Sequence, residues 1–125
     1  MAIEKKQRNA IPEQDPAVRA HNFDEVAIGF TAELARDEAS RCLGCKNAPC
    51  MKGCPVGVRI PEFLALVKQG DYEKAGEVIK STNSLPSVCG RVCPQEEQCE
   101  KNCVRAKIDG AVSIGGVERF VGDFM

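Results

Sequence analysis

The chain has 125 residues, one domain's worth, with 17 Lys and Arg against 18 Asp and Glu and a formal net charge of −1. That balance argues against a dedicated nucleic-acid binder, which is normally basic. A single histidine, His21, excludes the zinc patterns that need two or more. No apolar run approaches the roughly 18 residues that span a bilayer, and the opening stretch from Met1 to Arg8 lacks the apolar core of a signal peptide. The expectation is a soluble, cytoplasmic protein that contacts neither membrane nor nucleic acid. In a reducing cytosol, clustered cysteines bind metal more readily than they form disulfides.

Residues 1–30 are polar, with Pro12, Pro16 and charges of both signs. They read as an extended arm, either a disordered leader or a strap laid on a partner domain, ahead of a domain over 31–125. Thr31 is placed to N-cap a helix through Ala32–Arg41, with Glu33 in its first turn, where an acid suits the helix dipole. Pro61 suits the start of a second helix, to which Phe63, Leu64, Leu66 and Val67 give an apolar face and which Gly70 stops. Asp71 caps a third, with Tyr72, Ala75, Val78 and Ile79 at helical spacing, ended by Asn83, Ser84 and Pro86. Asp109 and Gly110 mark a turn, and Ser113 through Gly116 leads into a final helix from Val117 to Phe124. No useful alternating strand pattern is present, so the fold class is all-α.

The informative feature is eight cysteines in two groups of four. The first is Cys42-x2-Cys45-x4-Cys50-x3-Cys54-Pro55; the second is Cys89-x3-Cys93-Pro94-x4-Cys99-x3-Cys103. Thiolates this dense are the usual protein ligands of iron–sulfur clusters, four to a cluster. Gly44 eases the tight loop between Cys42 and Cys45. Pro55 drives Cys54 toward extended backbone, and in two-cluster ferredoxins the cysteine before proline binds the other cluster, so the two groups are expected to exchange ligands. Two other readings use eight thiols. Two structural zinc sites would form an interaction domain with no redox role, although they favour paired knuckles with a longer spacer. A disulfide framework would need an oxidising compartment. The Gly115-Gly116 pair lacks the rest of a dinucleotide fingerprint and reads as close packing at a helix start. Lys46, Lys52, Arg59 and Arg91 either offset cluster charge or are solvated. His21 reads as structural or exposed, and no acid–base pair, catalytic triad or phosphate loop is evident, so no catalytic residue is assigned.

The segments from Ala39 to Pro55 (ASRCLGCKNAPCMKGCP), Val88 to Cys103 (VCGRVCPQEEQCEKNC) and Ile114 to Phe120 (IGGVERF) resemble the N-terminal iron–sulfur domain of the glutamate synthase small (β) subunit family. Dihydropyrimidine dehydrogenase and the large subunit of NADH-dependent ferredoxin:NADP oxidoreductase share that domain. The likeness covers about residues 30–124. It implies an α-helical ferredoxin fold with two [4Fe–4S] clusters, the first on Cys42, Cys45, Cys50 and Cys103, the second on Cys54, Cys93, Cys99 and Glu118. Where dihydropyrimidine dehydrogenase has Gln, this chain has Glu118, a charged oxygen ligand that would lower the cluster potential and let electron uptake draw a proton. Cys89 is then left as a buried, non-ligating thiol; alternatively Cys89 is the eighth ligand and Glu118 an ordinary acid. The resemblance further implies electron relay between a flavin/NAD(P)H domain and a partner subunit of the large glutamate-synthase or ferredoxin type. FAD and NAD(P)H would be bound outside these residues, so the chain reads as an excised domain or a separate subunit.

Overall fold

A computed structural model describes residues 7–125; the part of the expected arm that falls on residues 1–6 lies outside the described residues. Among the described residues seven α-helices run in order: α1 (Pro16–Arg19), α2 (Ala32–Ser40), α3 (Pro49–Gly53), α4 (Ile60–Gln69), α5 (Tyr72–Lys80), α6 (Pro86–Val92) and α7 (Ile114–Phe124). Three short 3-10 turns, Gln95–Glu97, Glu100–Asn102 and Val104–Lys107, lie between α6 and α7. The described residues form no sheet; one antiparallel bridge joins Glu13 to Ala27. The all-α class is what the sequence predicts.

Local chemistry sets most helix boundaries. The Thr31 hydroxyl accepts from the Leu34 N–H and starts α2, and Asp71 does the same for Lys74 at α5. Gly70 ends α4 at φ +88°, which glycine adopts without steric cost. Helices α1 and α3 have no counterpart in the sequence expectation, and two further boundaries differ from it by several residues. Pro86 opens a helix, α6, instead of closing the preceding one, because its missing N–H is harmless in a first turn. The final helix begins at Ile114, not Val117, so the glycine pair lies inside its first turn. There Gly116 is pressed against the Phe30 ring and the Ser113 hydroxyl, with the nearest Phe30 carbon 2.6 Å from where a Cβ would sit.

The core is built from Ala35 and Ala39 of α2, Phe63, Leu64 and Val67 of α4, Ala75, Val78 and Ile79 of α5, and Val117 and Val121 of α7. Tyr72 packs edge-on against Phe120 and Phe124, with centroids 5.1 and 5.2 Å apart. The described arm lies on this chain's own helices, a course that neither sequence alternative named. The Asn9 N–H donates to Glu38 at 2.9 Å, Arg8 pairs with Glu100, Ile11 packs on the core and Phe30 is buried in it.

Beneath the arm lies a buried ion pair. Glu38 and Arg41 have fully buried side chains and meet at 2.7 Å. Glu38 also accepts from the Ser113 N–H at 2.7 Å. Arg41 donates to the Ala111 carbonyl at 3.1 Å and to Asp109 at 3.2 Å. Breaking a buried pair by removing one partner typically costs about 3–5 kcal/mol, because the other charge stays buried. Glu38→Ala is therefore expected to lower stability by about that amount, read as the midpoint of anaerobic urea unfolding, with Glu38→Gln losing less. A midpoint equal to wild type in Glu38→Ala would show that the pair does not hold the fold.

Candidate metal centre

The thiols are positioned by helix ends and prolines. Cys42 follows the C-cap Arg41 of α2, and the chain turns through Gly44 at φ +64° to bring in Cys45. Ala48 adopts φ +36° before Pro49, a left-handed strain for a non-glycine residue; it turns the chain into α3, which carries Cys50. Cys54 ends α3 in extended backbone (φ −88°, ψ 121°) and Cys93 ends α6 likewise (φ −64°, ψ 135°), each held so by the proline that follows. Cys99 and Cys103 flank the 3-10 turn Glu100–Asn102.

Cys42, Cys45, Cys50 and Cys103 line one cleft, whose walls include Leu43, Ile60, Leu64, Val112 and Ile114. Three of these thiols come from the first group and one from the second. Burial first, then the neighbouring Cys42 and Cys103 thiols, push the Cys50 thiol up to about 11. Burial likewise raises Cys42, with Cys103 and Cys45 adding to the rise and Arg105 opposing it. The remaining thiols keep separate company. Cys93 is pushed up to about 11 by burial, then by Cys89, Glu118 and Cys54. Cys99 is pushed up to about 12 by burial, then by Glu100, Cys54 and Glu118. Cys54 thus faces the second group although only three residues separate it from Cys50.

Glu118 lies on the first turns of α7 with its carboxyl pushed up to about 7 by burial, against the pull of an Asn83 hydrogen bond. The Asn83 amide donates to Glu118 Oε1 at 2.7 Å, and the Cys89 thiol donates to Asn83 Oδ1 at 3.6 Å. Cys89 is half-buried, less enclosed than expected of a leftover thiol. Thiols raised in this way, as at Cys42, Cys50, Cys93 and Cys99, are poor nucleophiles. A coordinated thiol, in contrast, loses its proton on binding the cation, so clustered half-buried cysteines in an apolar-walled cleft suit a metal group. Among the described residues, no three His, Cys, Asp or Glu side chains stand in single-ion geometry. One zinc holds each sulfur at about 2.3 Å, whereas a four-iron cluster spreads its ligands around a larger body.

Of the cations noted in the sequence, Arg91 is tied to Glu25 and Asp123 at 2.7 and 2.9 Å, and Arg59 pairs with Glu62 at the surface. Lys46 and Lys52 are exposed, as is His21. The buried cation that lines the cleft is Arg105, hydrogen-bonded to Asp109. Sequence reading missed it, since nothing local distinguishes it from a surface arginine. It also read Asn83 only as a helix terminator, and it missed Gln95, whose amide donates to the Cys89 carbonyl at 3.2 Å.

The model of the family described as dihydropyrimidine dehydrogenase domain II, 4Fe-4S cluster, matches residues 19–125. The chain belongs to this iron–sulfur family. It is 42% identical over 115 residues to the glutamate synthase [NADPH] small chain of Azospirillum brasilense, covering 90% of this chain and 24% of that one. Identity to the Escherichia coli glutamate synthase [NADPH] small chain is 41%, over 94% of this chain and 25% of the relative. The Escherichia coli NAD-dependent dihydropyrimidine dehydrogenase subunit PreT is 43% identical over 82% of this chain and 25% of its own length. The chain thus spans about a quarter of the length of the curated relatives it matches. As a member of this family it is an iron–sulfur domain with an electron-transfer role, and the cleft and its thiols fit a 4Fe–4S group.

Helices α6 and α7, which carry Cys89 and Glu118, cross on glycines. A Cβ at Gly90 would lie 2.6 Å from the Arg119 backbone nitrogen, and one at Gly122 would lie 2.5 Å from that of Ser87. Backbone cannot yield as a flexible side chain does, so Gly90→Ala must part the helices. Overpacking of this kind typically costs about 1–3 kcal/mol, and Gly90→Ala is expected to lower the thermal midpoint and to reduce the iron that the protein retains. A wild-type midpoint with full iron would mean that the crossing tolerates separation.

Proposed function

We propose that this chain carries two [4Fe–4S] clusters and relays electrons between a flavin/NAD(P)H domain and a partner subunit in a glutamate-synthase-type oxidoreductase of the cytoplasm. The observation that carries the reading is the cleft shared by Cys42, Cys45, Cys50 and Cys103, in which the last thiol of the second group joins three of the first. These four would hold the first cluster. Cys54, Cys93, Cys99 and Glu118 would hold the second, supported by the electrostatic company they keep. Each such group, when bound, takes up and passes on one electron at a potential set by its ligands and surroundings.

The chain's own residues would bind, shield and bias. Ile60, Leu64, Val112 and Ile114 keep the first site apolar, and the buried Arg105 guanidinium favours added electron density beside it. Glu118 would supply the second site with an oxygen ligand in place of a thiolate. FAD and the nicotinamide would be held elsewhere, by a further domain of the same parent chain or by a separate subunit. The names of the relatives support this arrangement, since they are NADPH- or NAD-dependent and are chains or subunits of larger enzymes.

Anaerobic iron, acid-labile sulfide and zinc analysis tests the count. About eight iron and eight sulfide per chain are expected; zinc without sulfide would replace the redox reading with a structural interaction domain. The ligand exchange is tested separately. Cys50→Ser is expected to damage one cluster and Cys54→Ser the other, seen as loss of different components of the spectrum of the reduced protein. If both variants lose the same component, the exchange between groups is wrong.

A further inference from the structure

We propose that Asn83 is a positioning residue that selects the fourth ligand of the second cluster, presenting the Glu118 carboxylate and holding the Cys89 thiol back. The inference rests on the reading above that Glu118 bonds iron.

The two rival ligands of that site sit at opposite ends of one side-chain amide. Asn83 is a buried residue in the turn between α5 and α6, 9% exposed. Its Nδ2 donates to Glu118 Oε1 at 2.7 Å, and its Oδ1 accepts from Cys89 Sγ at 3.6 Å. The orientation of an asparagine amide has to be inferred from its partners, and here a third partner fixes it. The Leu85 backbone N–H, which can only donate, lies 3.0 Å from the same oxygen. The carbonyl end therefore faces Cys89 and the amino end faces Glu118.

Donor and acceptor chemistry then works on both rivals in one direction. The amino group can only donate, so it favours a carboxylate that is charged and able to bond metal, and by engaging Oε1 it leaves Oε2 for iron. The carbonyl oxygen can only accept. A Cys89 thiol satisfies it, whereas a metal-bound thiolate would set one acceptor against another. Rotating the amide to relieve that conflict would turn its N–H groups toward the Leu85 N–H and its oxygen toward the Glu118 carboxylate. Cys89 is otherwise well placed to ligate, since it lies one turn before Cys93, whose N–H donates to the Cys89 carbonyl at 3.0 Å.

The test uses the full chain, loaded anaerobically with ⁵⁷Fe and sulfide and followed by Mössbauer spectroscopy, together with iodoacetamide labelling of the native protein. Asn83→Ser retains an acceptor for the Leu85 N–H, as serine does in turns, but is too short to reach Glu118. Wild type is expected to show one oxygen-ligated iron site, lost in Glu118→Ala, with Cys89 open to alkylation. In Asn83→Ser that site becomes sulfur-ligated and Cys89 becomes protected; in Asn83→Ser/Cys89→Ala the oxygen-ligated site returns. Persistence of the oxygen-ligated iron in Asn83→Ser, with Cys89 still alkylated, overturns the selector role and leaves the Glu118 assignment standing. Loss of the second cluster from both the single and the double variant also overturns it, by showing that Asn83 serves the fold alone. Wild type without an oxygen-ligated iron, and with a spectrum unchanged in Glu118→Ala, removes the Glu118 assignment and the selector role with it.

Discussion

The buried pair between Glu38 and Arg41 is the constraint on which the rest of the structure depends. Arg41 immediately precedes Cys42, and through Ala111 and Asp109 it grips the loop that follows the last thiol, Cys103. Glu38, one turn earlier, fixes the Ser113 N–H at the head of α7 and the Asn9 N–H of the arm. The start of the first cysteine group, the exit from the second and the helix bearing Glu118 are thereby tied to one side of α2. A hydrophobic core alone would leave this register loose, since α2 buries only the small side chains Ala35 and Ala39 fully, with Leu34 packed at the core's edge. Burying two charges is costly unless their remaining hydrogen-bonding capacity is met, and here backbone groups of the arm and of residues 109–113 meet it. The cost thus becomes a requirement that those segments arrive together.

The second organising contact is the glycine crossing of α6 and α7. Gly90 and Gly122 let the two backbones approach to a distance that a methyl group would forbid. That closeness puts Cys89 and Glu118 within reach of the one short side chain of Asn83. A wider crossing would separate the two rivals and with them the means of choosing between them. Packing geometry and site chemistry are linked here through residues that carry no functional group.

What was legible in the sequence was local. Thr31, Gly70 and Asp71 act on their own turns, and each does in the structure what its chemistry dictates. The prolines after Cys54 and Cys93 disfavour helical backbone in the preceding residue, and both cysteines are extended. Pro86 shows the limit of such signals, because a proline marks a helix boundary without saying which side of it is helical. The start of α7 at Ile114 was hidden for a different reason. Two adjacent glycines disfavour a helix by propensity, and only the pressure of Phe30, Ser113 and Gln95 against them makes glycine the residue that fits. Arg105 and Asn83 were illegible altogether, since their roles come from partners distant in sequence and from burial, neither of which leaves a periodic trace.

The raised thiols show why fold and metal group must be considered as one system. Burial and the neighbouring thiols disfavour the ionised forms of Cys42 and Cys50. The fold by itself therefore does not stabilise those two as thiolates, and at Cys42 the Gly44 N–H and Arg105 relieve only part of that. A cationic metal group reverses the balance by taking the protons' place. On the proposed assignment each cluster draws ligands from both cysteine groups, so its binding closes the long stretch between Cys42 and Cys103 twice over. Metal ligation that joins segments separated by α4, α5 and α6 is folding free energy as much as cofactor affinity. For a domain of this size, whose core gains much from added cross-links, that coupling explains how short helices and irregular 3-10 turns hold one arrangement.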